Sequence, residues 1–128
     1  MEMVGESIVL NLVKRVLDVK DFRKLVIQPT LVHLELWSEA AEILLLGTAL
    51  TESGLRYLKQ RGGGPALGLF QIEKVTHEDI WTSYLMKDKN KKLQANVKWL
   101  LSRTPLDEQL IHNLAYATAI GLAIGPMT

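Results

Sequence analysis

The stretch SEAAEILLLGTALTESG, residues 38–54, decides the fold because it predicts the most apolar helix of the chain. Ser38 is a good N-cap, since its hydroxyl can accept a hydrogen bond from an unpaired backbone N–H of the first turn. Glu39 and Glu42 suit the positive end of the helix dipole. Beyond Glu42 the helix is apolar nearly all round, which is typical of a central, buried helix.

Glu52 lies near the C-terminal end of this helix. By helical spacing it shares a face with Ala41, Leu45 and Ala49. Desolvation disfavours a carboxylate, and the negative end of the helix dipole acts in the same direction, so both effects favour the protonated acid. A protonated carboxyl near neutral pH can serve as a general acid. The alternative is that Glu52 faces solvent on the last turn and has no catalytic role.

Helical spacing continues on both sides of this stretch, so the fold class is mostly α. A small extended or β element is expected near the Gly-rich loop, because Gly62-Gly63-Gly64-Pro65 breaks regular structure and residues 68–72 predict a short strand or bend. The overall expectation is a helical domain around a central buried helix. The further predicted helices run from Ser7 to about Val19, from Leu31 to Trp37, from an N-cap at Thr76 to about Leu85, from Lys91 to about Ser102, and from Leu106 to Ile124.

Length and composition predict one globular domain over residues 1–128. Hydrophobic residues make up 48% and charged residues 23%, a balance that argues against intrinsic disorder. The formal net charge of +1 gives no broad field that would favour nucleic acid. The absence of cysteine excludes a disulfide scaffold, a thiol nucleophile and a Cys-ligated metal site.

Neither a signal peptide nor a membrane span is predicted. The first six residues carry acids where a signal peptide would carry Lys or Arg, which predicts synthesis in the cytoplasm. The apolar run from Leu114 to Gly125 is too short to cross a bilayer. We interpret it as a core helix, with an exposed interface for a homo-oligomer as the alternative.

The spacing of the histidine and tryptophan residues predicts no further functional site. His33, His77 and His112 stand in separate segments, so no metal site is predicted, and His77 is expected to be solvated or to cap a helix. The three tryptophans, Trp37, Trp81 and Trp99, each fit the apolar face of a helix, which favours core packing over stacking on a sugar.

A two-part motif, Glu52-Ser53-Gly54 followed by Gly68-Leu69-Phe70-Gln71, resembles the lysozyme-like superfamily. The resemblance is to its lytic transglycosylases and goose-type lysozymes, in particular to small phage and prophage members, and it covers roughly residues 21 to 120. It implies an α+β lysozyme-like fold, no cofactor, and cleavage of the glycan strands of peptidoglycan. The protein would then reach the cell wall after release or as a virion component.

The same resemblance implies roles for individual residues. Glu52 matches the catalytic acid, which protonates the glycosidic oxygen between N-acetylmuramic acid and N-acetylglucosamine. Substrate-binding positions are implied for Ser53, which would orient the acid or the substrate, for Tyr116, which matches a family tyrosine that contacts the acid, and for the segment that lines the cleft, Gly68, Leu69, Phe70 and Gln71.

The second carboxylate used by many glycosidases has no obvious match. Glu73 and Asp79 are candidates only by proximity in sequence. A single carboxylate suits the transglycosylase route, in which the 6-hydroxyl of the substrate attacks and a 1,6-anhydro sugar forms. An inverting hydrolase that holds a water molecule is the open alternative.

The chain also departs from the family pattern. Ala115-Tyr116-Ala117-Thr118-Ala119 stands where transglycosylases carry Ala-Tyr-Asn-Ala-Gly, and the sequence ends at Thr128, before the further helical sequence of the relatives. We therefore expect a domain that is truncated or remodelled at its C-terminus. The alternative function is a non-catalytic lysozyme-fold module that serves in a virion or binds the cell wall.

Overall fold

A computed structural model of the chain describes residues 15–127, with side chains described for residues 15–125. This part is mostly helical, as predicted, and contains no strand. Helix α1 joins three consecutive segments, Val19–Asp21, the π-helical Phe22–Ile27, and Gln28–His33. The others are α2 (Glu39–Glu52), α3 (Lys74–Ile80, extended by a π-helical turn over Trp81–Leu85), α4 (Lys91–Trp99), α5 (Gln109–His112) and α6 (Leu114–Met127), with single 3₁₀ turns at Arg61–Gly63 and Asp88–Asn90.

The two ends of α2 lie where the sequence predicts them. Ser38 is the N-cap, and its Oγ accepts a hydrogen bond of 3.0 Å from the backbone N–H of Ala41. After Glu52 the chain turns at Gly54, whose φ is +64° and whose N–H donates to the carbonyl of Ala49. The left-handed conformation at Gly54 closes the helix by satisfying a carbonyl of its last turn.

The prediction that α2 is the central, buried helix is wrong. Ile43 and Leu44 are 55% and 62% exposed, and only a stripe through Glu42, Leu45 and Ala49 is buried. Apolar composition therefore does not place this helix in the centre, because no other element of the described chain covers its second face.

The buried helix is α6, whose residues 116–120 are all buried, together with Ala123. It packs on α1, α2, α3 and α5 within the same chain. Most of its apolar surface is thus used internally, and its role in a homo-oligomer stays a prediction. No helix among residues 15–127 is long and apolar enough to cross a membrane.

Asn113 splits the predicted helix of residues 106–124 into α5 and α6. Its Oδ1 accepts a hydrogen bond from the backbone N–H of Tyr116, and its Nδ2 donates to the carbonyl of Leu100. Asparagine favours such local bonds over a continuous helix. The predicted helix from Ser7 to Val19 falls mostly outside the described residues, and residues 15–18 are not helical.

The segment between α2 and α3 is a compact loop rather than a strand. Antiparallel bridges join Lys59 to Leu67 and Leu67 to Ile72, and a turn links the last two. Helix α3 begins at Lys74, with Glu73 as its N-cap, and not after Thr76 as predicted. Its predicted end at Leu85 is confirmed by the π-helical turn.

Glu42 is a buried carboxylate that joins α1 to α2. Its Oε1 accepts hydrogen bonds from Nε of Arg23 at 2.8 Å and from Nε2 of Gln28 at 2.9 Å, and its Oε2 accepts one from the indole N–H of Trp37. The hydrogen bond from the Arg23 guanidinium holds the pKa of the Glu42 carboxyl below its usual value, against the opposing effect of burial. Three donors replace the water that the charge loses.

Glu42→Gln is expected to lower the free energy of unfolding at pH 7 by about 3 kcal/mol, near the lower end for breaking a buried ion pair, because Arg23 keeps partial contact with water. The pKa of Glu42 is lowered in the folded state, so its contribution is present above pH 4.5 and is lost as the pH falls through the folded value. Urea unfolding from pH 7 to pH 3 should therefore show a gap between wild type and variant that narrows with acid.

The matched control is Glu39→Gln, which removes an exposed carboxylate from the same first helical turn. This change should shift stability by less than about 0.5 kcal/mol. A gap for Glu42→Gln that stays constant down to pH 3 would contradict the role given to its charge.

Candidate functional site

The C-terminal end of α2 presents Glu52 at the surface. Its side chain is exposed, so the expectation of a carboxyl among apolar groups is wrong. The buried stripe drifts around the helix as it continues by steps of four from Leu45 through Ala49 to Ser53, and at the last turn Glu52 is rotated from the buried Ser53 by about 100°. Glu52 is therefore free to meet a ligand, whereas its neighbour Ser53 faces the core.

Ser53 is a buried link and is not exposed to a ligand, being only 3% exposed. Its Oγ lies 2.6 Å from the carbonyl oxygen of Leu69 and 3.1 Å from that of Ala49, and it also accepts a hydrogen bond from the N–H of Leu55. The hydroxyl thereby joins the end of α2 to the second part of the motif. It bonds the helix end that carries Glu52 to the turn of residues 68–71, although Ser53 and Leu69 are 16 residues apart.

The second part of the motif is a turn with two left-handed residues. Gly68 has φ +77° and is buried, and Gln71 has φ +49°. The Nε2 of Gln71 donates a hydrogen bond of 2.8 Å to the carbonyl of Gly68, which holds the amide against the turn. Gln71 is half-buried, so it is the residue of this segment whose side chain reaches solvent.

Leu69 and Phe70 belong to the core. Both side chains are buried, and the ring of Phe70 packs against Phe22 and against the backbone of Gly121. A Cβ on Gly121 would lie 3.0 Å from the Phe70 ring, which accounts for a glycine at that point of α6. These two residues can meet a substrate only through their backbone.

Tyr57 links the backbone of Glu52 to Arg61. The hydroxyl of Tyr57 donates to the backbone carbonyl of Glu52 at 3.2 Å, and the guanidinium of Arg61 lies 5.1 Å from the centre of the Tyr57 ring. The Tyr57 hydroxyl satisfies one carbonyl of the last helical turn. Together with Gln71, these residues form the candidate site.

Tyr116 lies in the core, apart from any surface that a substrate could reach, with a side chain that is 0% exposed. Its hydroxyl accepts a hydrogen bond of 2.8 Å from the Trp81 indole and lies 2.6 Å from Nε2 of His77. Burial raises the pKa of this hydroxyl, which therefore keeps its proton and can donate it to His77. The structure thus pairs Tyr116 with His77 and Trp81, where the resemblance implies a contact with the acid.

His77 is buried and extends this network, so the expectation of a solvated or capping histidine is wrong. Its Nδ1 lies 2.8 Å from Oδ1 of Asp107. If Nε2 accepts from the Tyr116 hydroxyl, Nδ1 carries the proton and donates to Asp107. The Tyr116 hydroxyl and both ring nitrogens of His77 then each have a hydrogen-bond partner. Residues 77, 107 and 116 are far apart in sequence, so no local pattern signals the network.

Tyr116→Phe is expected to lower the free energy of unfolding by about 1–3 kcal/mol, because it leaves the Trp81 N–H and the Nε2 of His77 without a partner in the core. Urea denaturation measures the effect. Tyr84→Phe is the matched control, since no hydrogen bond to the Tyr84 hydroxyl is present among the described residues. Equal stability of the two variants would contradict the network.

The tryptophans are divided between core and surface. Trp81 is partly buried, but Trp37 and Trp99 are 55% and 76% exposed, so core packing is wrong for these two. Trp99 lies against the ring of His33, with centroids 4.8 Å apart. Sequence periodicity cannot separate a core tryptophan from one at the rim of a short helix, because both occur at apolar positions.

The site therefore consists of an exposed acid, an anchored amide and an aromatic neighbour on a loop that Ser53 fixes to α2. Among residues 15–127, no group of three or more His, Asp or Glu side chains could hold a metal ion. Comparisons with protein families, with curated proteins and with solved structures give no match to this chain.

Proposed function

We propose that the protein cleaves the β-1,4 bond between N-acetylmuramic acid and N-acetylglucosamine in peptidoglycan, with Glu52 as the acid. The observation that carries the proposal is the bond between Ser53 Oγ and the Leu69 carbonyl. It joins the end of α2, where Glu52 carries an exposed carboxyl, to the turn of residues 68–71, and these are the two segments that the two-part motif pairs.

The chemistry assigned to Glu52 is sequential. As an acid it gives its proton to the glycosidic oxygen, and the glycosidic bond breaks. As a base it then takes a proton either from the 6-hydroxyl of the muramic acid, which closes a 1,6-anhydro ring, or from a water molecule, which leaves a reducing end.

The surroundings of Glu52 support a one-carboxylate route. Glu73 and Asp79 are exposed residues at the start and on the outer turns of α3, and neither is joined to Glu52 by a contact in the described part of the chain. The transglycosylase route requires no second carboxylate. The Gln71 amide, which Gly68 anchors through Nε2, offers its carbonyl oxygen to a sugar hydroxyl or N–H.

Mass spectrometry of purified peptidoglycan after incubation with the protein tests the proposal. Anhydro-muramic ends identify a transglycosylase, and reducing muramic ends identify a hydrolase. Glycan strands of unchanged length after long incubation with folded protein would contradict the proposed function in both forms.

One observation favours a second candidate, a non-catalytic module that binds the cell wall or serves in a virion. Tyr116 is bonded to His77 and Trp81 and cannot contact Glu52 in this arrangement. In this case the protein co-sediments with peptidoglycan, and both the wild type and Glu52→Gln leave the strands intact. In either role the site of action is the cell wall, reached after release or as part of a virion.

A further inference from the structure

A hollow of about 430 Å³ lies between the Gly-rich loop and the start of α3. Pro65, Leu67 and Val75 give it apolar walls, and Lys59, Lys74 and Glu73 bring charge to its edge. Pockets of this size that combine an apolar lining with a few charged groups are typical ligand sites.

The walls of this hollow are held in place by backbone pairing. Lys59 bridges to Leu67, and Leu67 bridges to Ile72. The side-chain Oε1 of Gln60 accepts a hydrogen bond of 3.0 Å from the N–H of Ala66, and the backbone N–H of Gln60 donates to the Ala66 carbonyl. The hollow is therefore a feature of the folded loop and does not depend on one exposed side chain.

The charged groups at the edge have no partner within the part of the chain that the structure describes. Among the described residues, neither lysine nor Glu73 forms an ion pair or a side-chain hydrogen bond, whereas Lys91 and Lys92 do form ion pairs on the surface. Two unpaired ammonium groups at the edge of a hollow with apolar walls favour a ligand with carboxylates and short apolar side chains. Glu73 adds a place for one cationic group of the same ligand.

The lining of the hollow adjoins the segment assigned to the glycan along the backbone, because the N–H of Gly68 donates to the carbonyl of Leu58, next to Lys59. Leu67 in its wall is followed directly by Gly68, and Ile72 follows Gln71. A glycan strand seated on residues 68–71 carries, on each muramic acid, a lactyl-linked peptide with free carboxylates, small alanine side chains and a diamino acid. This composition matches the lining of the hollow in both charge and size.

We propose that the hollow between Lys59 and Lys74 binds the peptide stem of the muramic acid, so that the protein acts on glycan strands that carry peptides. This inference rests on the proposed function. The lysines contact stem carboxylates, Glu73 contacts the ammonium group of the diamino acid, and the apolar walls hold the alanine methyl groups.

The test compares two substrates, intact peptidoglycan and the same glycan strands after an amidase has removed the peptides. Lys59→Gln/Lys74→Gln is expected to lower the rate on intact peptidoglycan about five- to tenfold and to leave the rate on stripped strands unchanged. The loss should shrink in high salt, because exposed charge pairs are screened. Lys20→Gln/Lys24→Gln, which removes two exposed charges from α1, is the matched control and should behave as wild type.

A direct binding measurement separates the failure of this inference from the failure of the proposed function. Calorimetric titration with the free stem tripeptide should show binding to wild type and to Glu52→Gln, and weaker binding to the double lysine variant. If wild type cleaves neither substrate, the proposed function fails. The peptide titration alone then shows whether the hollow binds the stem peptide. Equal peptide binding by wild type and double variant, or equal rates on intact peptidoglycan, overturns the peptide site.

Discussion

Glu52→Gln is expected to lower the release of new glycan ends from purified peptidoglycan by about 10²–10⁴-fold, the range for loss of a general acid. The amide has nearly the shape of the acid but no proton to give to the glycosidic oxygen. Because the Glu52 side chain is exposed, the free energy of unfolding should change by less than about 0.5 kcal/mol. End-group analysis by mass spectrometry and urea unfolding measure the two quantities.

The control for this result is Glu39→Gln, which makes the same chemical change on the same helix. Glu39 is exposed and is the first residue of α2, about 20 Å from Glu52 at 1.5 Å per residue. It should retain wild-type cleavage. Equal rates for wild type and Glu52→Gln would remove this carboxyl from the mechanism, and equal loss in both variants would point to a general effect of charge.

The limits of α2 were predictable because the signals that set them are local. Ser38 precedes the apolar run and caps it, and Gly54 follows Glu52 and takes the left-handed conformation that closes a helix. The exposure of Ile43 and Leu44 was not predictable in the same way. Burial of a helix face depends on which other elements pack against it. This packing is set by contacts between residues far apart in sequence.

In the candidate site, too, the features set by local sequence were predictable, and those set by contacts between distant residues were not. The motif predicted that Glu52 and Gln71 come together, and the Ser53–Leu69 bond is the contact that brings their segments into proximity. The motif could not show that Ser53, Leu69 and Phe70 face inward, because a sequence pattern gives the spacing of residues and not the direction of their side chains. The partners of Tyr116 lie 35 and 39 residues away, which no spacing rule covers.

The position of the turn after Leu67 depends on how closely α5 approaches it. The Cα of Gly68 lies so near the backbone of Leu110 that an added Cβ would be 1.8 Å from the Leu110 carbonyl oxygen. Gly68 also donates its N–H to the carbonyl of Leu58. One residue without a side chain thus packs the turn of residues 68–71 against both the segment at Leu58 and helix α5.

Gly68→Ala is expected to be the most damaging single substitution for stability, with a loss of about 4 kcal/mol or more. The new methyl group cannot share space with a backbone carbonyl, so either the turn or α5 must move. The φ of +77° adds a cost of about 1–2 kcal/mol for any residue with a Cβ. Circular dichroism during urea unfolding should show a variant that is unfolded or nearly so.

Gly62→Ala separates the two causes, because Gly62 has nearly the same φ of +79° but no atom within 4 Å of an added Cβ. Gly62→Ala incurs only the conformational cost, so its loss in the free energy of unfolding should stay at about 1–2 kcal/mol. Similar losses in the two variants would mean that the approach of Gly68 to Leu110 is not as close as described. A far larger loss at Gly68 would show that steric contact with α5, rather than backbone conformation, fixes the turn beside Glu52.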